Sequence, residues 1–154
     1  MLKPKTLEEV YDLCVADGHI NELREVNYDK INSLMQNADI CLRTAGIVIK
    51  AINNKDKEWM SVFLMHYDAL RICAEALLQF DKLNIQNHDC LFACLCVKHP
   101  ELEFSWDFLN NIRKKRNGVN YYGHNITYED WKPLELQFQL YISALKKEIE
   151  TKLN

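Results

Sequence analysis

At 154 residues, 48% of them hydrophobic and 27% charged, the chain is long enough for one domain with a substantial core, too short for two, and unlike a disordered segment. Its 19 basic and 22 acidic side chains leave a net charge of −3. That excludes a protein that holds polyanions through its overall charge, so any contact with nucleic acid has to come from a local patch. Only 4 glycines and 3 prolines supply turn chemistry, which favours helices over many short strands.

Hydrophobic period divides the chain into helices. A short opening helix is expected over about Leu7 to Val15, stopped by Asp17-Gly18. A second spans about Asp29 to Ile52, where Ile31, Leu34, Met35, Ala38, Cys41, Leu42, Ala45, Val48 and Ile49 make one apolar face. After the turn Asn53-Asn54-Lys55-Asp56, a third covers about Lys57 to Leu83 with the stripe Trp59, Phe63, Tyr67, Leu70, Ala74 and Leu77. A shorter helix over about His88 to Val97 ends at His99-Pro100. Another starts near Ser105 and carries Leu109, Ile112 and Arg116. The last follows Thr127, whose pairing with Asp130 is a capping signal, and holds Trp131, Leu134, Phe138, Ile142, Leu145 and Ile149 in register. The expected fold is all-α: a single domain over 1–154, with a short N-terminal helix and an up-and-down antiparallel bundle of four to five main helices over about 29–153, essentially without β-sheet.

The longest apolar run, Leu91 to Val97, falls far short of the ~20 residues that span a bilayer. The opening MLKPKTLEEVYD lacks the apolar stretch of a secretory signal, so a cytoplasmic protein without membrane contact is expected. In that setting the six cysteines, Cys14, Cys41, Cys73, Cys90, Cys94 and Cys96, are expected to be free thiols. The cluster His88, Cys90, Cys94, Cys96 and His99 has the residue types of a zinc site. It has no CxxC knuckle, however, and a continuous helix aims Cys96 away from Cys90 and Cys94, which favours buried thiols without metal or cofactor.

Chemistry concentrates in residues 113–123, Arg-Lys-Lys-Arg-Asn-Gly-Val-Asn-Tyr-Tyr-Gly. Successive helical residues turn by ~100°, so the four cations surround the helix. Arg116 shares the face of Leu109 and Ile112, an expensive place for a charge unless it is paired or opens into a cleft. Asn117 and Gly118 are poor helix formers in the same place. Such a conflict between local preference and pattern marks either a functional site or a frayed end with a solvated cationic face. Elsewhere, His66 reads as a satisfied core or interface histidine and His19 as exposed. Glu75 can pair with Arg71 one turn earlier or face Arg116.

The stretch IRKKRNGVNYYG resembles the motif region of HEPN domains, small helical domains marked by an arginine, a polar neighbour and, four to six residues on, a histidine. The upstream HYDALRICAEALLQFDKLNIQNHD is similar to that family's paired-helix segment, through Ala74-Glu75-Ala76-Leu77-Leu78 and His88. The likeness covers roughly Asp29 to Leu153. It implies a homodimer with two arginine motifs at a shared cleft, binding RNA or nucleotide. Many members are metal-independent endoribonucleases of toxin–antitoxin or defence systems, and some partner a minimal nucleotidyltransferase or an antitoxin. Carried over, Arg116 is the motif arginine and Asn117 its polar neighbour. Arg113, Lys114, Lys115, Asn120, Tyr122 and His124 are substrate contacts, and Tyr121 occupies the histidine position. A tyrosine, with its ordinary pKa near ~10, is a poor proton acceptor at neutral pH. Slow or absent RNA cleavage is therefore expected, and a non-catalytic bundle that binds a protein partner is the alternative.

Overall fold

A computed structural model describes residues 3–154. Its order is α1 (Leu7–Ala16), β1 (Ile20–Glu22), α2 (Tyr28–Ala51), α3 (Trp59–Phe80), β2 (Leu83–Ile85), α4 (His88–Lys98), a 3-10 turn (Pro100–Leu102), α5 (Trp106–Tyr122) and α6 (Tyr128–Leu153). Side-chain caps set most of the starts. Thr6 with Glu9 and Thr127 with Asp130 form reciprocal capping boxes, while Asn27, Asn87 and Ser105 each accept from first-turn amides. Each cap satisfies backbone donors that a helix start leaves without partners.

Helix α3 is the hub. It is buried around most of its circumference, with α2 along one side and α6 along another. The outer helix α2 fully buries only Ile31, Ala38 and Ala45, the small residues allowing close approach. Aromatic side chains fill the space between α3, α5 and α6. Phe63 and Phe108 both meet Phe138 edge-on, and Trp131 lies against Phe138 at 5.6 Å and against the His66 ring at 4.5 Å between centroids. His66 is the core histidine the sequence suggests: Nδ1 lies 2.8 Å from the Val62 carbonyl, and burial lowers its pKa.

Helix α4 departs from amphipathic design. Cys90 to Cys96 are all buried, so its apolar run packs on every side instead of along a stripe. No helix is long and apolar enough to cross a membrane among the described residues.

The fold is all-α apart from one small two-stranded sheet, in which Ile20–Glu22 pairs antiparallel with Leu83–Ile85, with Ile20 opposite Ile85. Helical period carried the third helix on to Leu83, but the chain leaves it at Asp81 and Lys82, the latter in the left-handed region (φ 59°). Leu83 and Ile85 are then buried from an extended strand. One expectation is corrected, the free state of all the thiols. Cys14 of α1 and Cys90 in the first turn of α4 form a disulfide, with Cα atoms 5.6 Å apart. Residues 76 apart in sequence cannot be seen to meet from helical period alone. Cys41, Cys73, Cys94 and Cys96 are free; burial raises the pKa of each, pushing Cys94 and Cys96 up to about 11.

Candidate functional site

Helix α5 runs unbroken through Asn117 and Gly118 to Tyr122 and stops at Gly123, whose left-handed φ of 67° suits glycine. The amides of Gly123 and His124 both turn back to the Gly118 carbonyl. The His124 ring also folds over Gly118: a Cβ there would lie 2.8 Å from its Nδ1. The glycine that looked like a helix breaker is a buried seat for the returning chain.

One face of α5 then meets the start of α4. Between them lies an open cleft of about 400 Å³, lined by Gln86, Asn87, His88 and Asp89 on one wall and Arg113, Arg116, Asn117 and Tyr121 on the other. Five of the residues singled out in the sequence are therefore brought together: His88, Arg113, Arg116, Asn117 and Tyr121. Lys114, Lys115, Asn120, Tyr122 and His124 do not line this cleft. Lys114, Asn120, Tyr122 and His124 are exposed, Tyr122 faces the His124 ring, and the pKa of Asp130 at the start of α6 is lowered first by its hydrogen bonds with Thr127 and only then by Lys115.

The two arginines of the cleft have different surroundings. Arg113 is committed: its Nε pairs with Asp89 and its Nη2 donates to Asn110 Oδ1 at 2.9 Å. The guanidinium of Arg116 instead sits over the face of Tyr67, 5.8 Å from the ring centroid, and no carboxylate pairs with it among the described residues. The cation–π contact holds the charge in place without neutralising it. Glu75 pairs with Arg71 at 3.4 Å and Lys30 at 3.5 Å.

Sequence reasoning missed a further pair. Tyr67 is fully buried, and its hydroxyl lies 3.2 Å from His88 Nδ1. One phenol ring thus carries Arg116 on its face and His88 at its edge. Burial raises the Tyr67 pKa well above the ordinary value, more than the nearby arginines lower it, so the hydroxyl stays protonated. His88 is driven the other way, down to about 4, first by burial and then by Arg71, Arg116 and Arg113. The imidazole is neutral at ordinary pH and has a ring nitrogen beyond the one facing Tyr67. In the sequence His88 stood out as part of the thiol and imidazole cluster and as the histidine following a loop in the upstream segment; nothing in the spacing from residue 88 to 116 predicts their meeting.

Among the described residues no three His, Cys, Asp or Glu side chains gather as metal ligands, and the disulfide takes Cys90 out of the cluster weighed above. Comparison with family models, characterised proteins and solved structures found no match.

Proposed function

We propose that the cleft between α4 and α5 binds the phosphate of a ribonucleotide, as an RNA strand or a free nucleotide, in a HEPN-like manner. The carrying observation is Arg116: a fixed guanidinium at an open polar cleft, with no carboxylate partner among the described residues. A planar guanidinium suits two phosphate oxygens at once. Asn117 adds an amide donor, and Tyr121, largely exposed on the rim, offers a ring on which a base can stack. Lys114, on the solvated side, adds long-range attraction. On the same reading two copies associate so that both clefts open onto one groove. Sedimentation or light scattering that found only monomer at high micromolar concentration would remove this dimer.

The test is Arg116→Ala, read by affinity for a short RNA and for a mononucleotide and by melting temperature. Loss of a charge-assisted hydrogen bond should cost about 1.5–3 kcal/mol of binding with little change in stability. Lys114→Ala should cost less, and its effect should fade with added salt. Unchanged binding to both probes together with a large drop in melting temperature would make Arg116 a structural residue and sink the proposal. Loss of affinity for RNA alone would identify the strand as ligand; loss for both would identify the shared phosphate.

A further inference from the structure

We infer that the pocket between the start of α2 and the end of α3 is a second binding site, which takes the backbone of an extended peptide through the carboxamide of Gln79. The pocket shares no lining residue with the α4–α5 cleft, so neither site depends on the other.

Gln79 itself points to a ligand. It lies in the last turn of α3, is 1% exposed and lines an open pocket of about 600 Å³. Its Oε1 and Nε2 are both buried without a hydrogen-bond partner. Among the described residues no other side chain is in that state. The two remaining buried atoms without hydrogen bonds, on Asp89 and Arg113, belong to groups that pair with each other. A buried polar group without a partner is costly, and an apolar side chain of similar size would fill this place without that cost. A partner arriving through the pocket accounts for a carboxamide here.

The chemistry of the lining defines that partner. A carboxamide offers a donor beside an acceptor, and the N–H and C=O of one residue in an extended peptide match that pair. Gln79 Nε2 donates to the peptide carbonyl, and the peptide N–H donates to Oε1. Asn84 of β2 lines the same pocket and adds a second carboxamide. Two carboxamides suit a ligand whose donor–acceptor pair recurs along its length, as a peptide's does and a single nucleobase's does not. The rim carries both signs of charge. Arg24, Glu25 and Asp29 line it with no ion pair among the described residues, and Lys30 is held by Glu75. A phosphate chain needs an excess of cations, whereas a peptide brings groups of both signs. Neither polar atom of Gln79 is open to water, so part of the wall has to yield. The Leu23 amide donates to the Lys82 carbonyl at 2.7 Å and Asn27 caps α2, but no backbone–backbone hydrogen bond ties Arg24 to Val26 between them. That segment is the part able to move.

The experiment titrates the full chain, followed by NMR, with N-acetyl trialanine amide, its analogue with an ester oxygen in place of the central N–H, and unblocked trialanine, each to about 10 mM. The blocked peptide should bind wild type and shift the Gln79 side-chain amide signals, and the ester should bind at least about tenfold more weakly. Gln79→Leu should lower affinity for the blocked peptide at least about tenfold and abolish the preference for amide over ester. Its melting temperature should stay level or rise, because two unpartnered polar atoms are gone. Arg24→Ala, at an exposed position, should weaken unblocked trialanine alone if a free peptide is the ligand. Equal binding of blocked and unblocked forms would identify a segment of a longer chain. Were Gln79→Leu to fail to fold, the amide preference and the Gln79 signals of wild type still decide the matter. Arg116→Ala should leave peptide binding unchanged, which keeps the two sites distinguishable. Absence of peptide binding overturns the assignment, as does affinity unchanged in Gln79→Leu with a lowered melting temperature, which would make Gln79 structural. Binding of adenosine in place of the peptides overturns it in favour of a base edge.

Discussion

Around Trp131 the molecule is closed by large apolar and aromatic faces, whereas around Arg116 a few polar contacts keep a cleft open. In the first region each side chain is held by many neighbours, and no single contact decides its place. In the second, His88 depends on one phenol hydroxyl, Arg116 on one ring face, and the start of α4 on the Asn87 cap and the bond from Cys90 to Cys14. The body supplies stability, and the cleft draws on it to hold an uncompensated charge and a half-buried neutral imidazole. The two regions meet in Tyr67, a core residue by burial whose ring and hydroxyl hold Arg116 and His88, two residues that line the cleft.

The widest gap between the regions should appear on truncation in the body. Trp131→Ala removes a side chain that is 1% exposed and leaves Phe138 and His66 facing a void. Substitutions of this kind cost roughly 3–5 kcal/mol, so chemical denaturation should show a loss of that size. A loss under about 1 kcal/mol would mean that the body collapses around the void and is not tightly packed.

Next in size is the disulfide. Closing a loop between residues 76 apart restricts the unfolded chain by about 4 kcal/mol in the loop-entropy model. Reduction with a dithiol, or Cys14→Ser with Cys90→Ser, should lower the melting temperature accordingly. Helix α1 packs chiefly on α4, so its amides should lose protection from hydrogen exchange first, while those of α3 stay protected. Uniform loss of protection would show that the cleft end and the body unfold as one unit and erase the distinction between them.

The same division explains what could be read from sequence. Repeats such as Ile31, Ala38 and Ala45, or Trp131, Leu134, Phe138 and Ile142, leave a periodic trace because one helix face touches one neighbour, and their burial follows the stripe. The Leu83–Ile85 strand was hidden because three residues, Leu-Asn-Ile, are too few for alternation to stand out from the helical period before them. In the site, Arg116 was legible as a cation on the inward face of α5, beside the fully buried Ile112. Its partners were not. Tyr67 and His88 reach it by tertiary folding, and Cys14 meets Cys90 only because α1 packs on α4. Contacts of that kind have no local signature, so the α5 motif pointed to the cleft but left out its other wall.

Gly118→Ala should have the smallest effect and bears on the boundary between the regions. In the interior of a helix, alanine is favoured over glycine by about 1 kcal/mol. Against this, the new Cβ would lie 2.8 Å from His124 Nδ1, too close for the ring to stay where it is. The His124 side chain is exposed and belongs to a segment after the helix end, so it can swing away at small cost. The two terms nearly cancel, and the variant should differ from wild type by less than about 1 kcal/mol, on either side. RNA or nucleotide affinity should be unchanged, because neither Gly118 nor His124 lines the cleft. A tenfold loss of affinity without a loss of stability would show that the seat of His124 on Gly118 shapes the ligand site, and would extend the cleft past Tyr121 to the end of α5. Unchanged affinity would confine it to the wall from Arg113 to Tyr121 and leave Gly118 a purely structural part: the place where the chain turns back beneath the helix it has just completed.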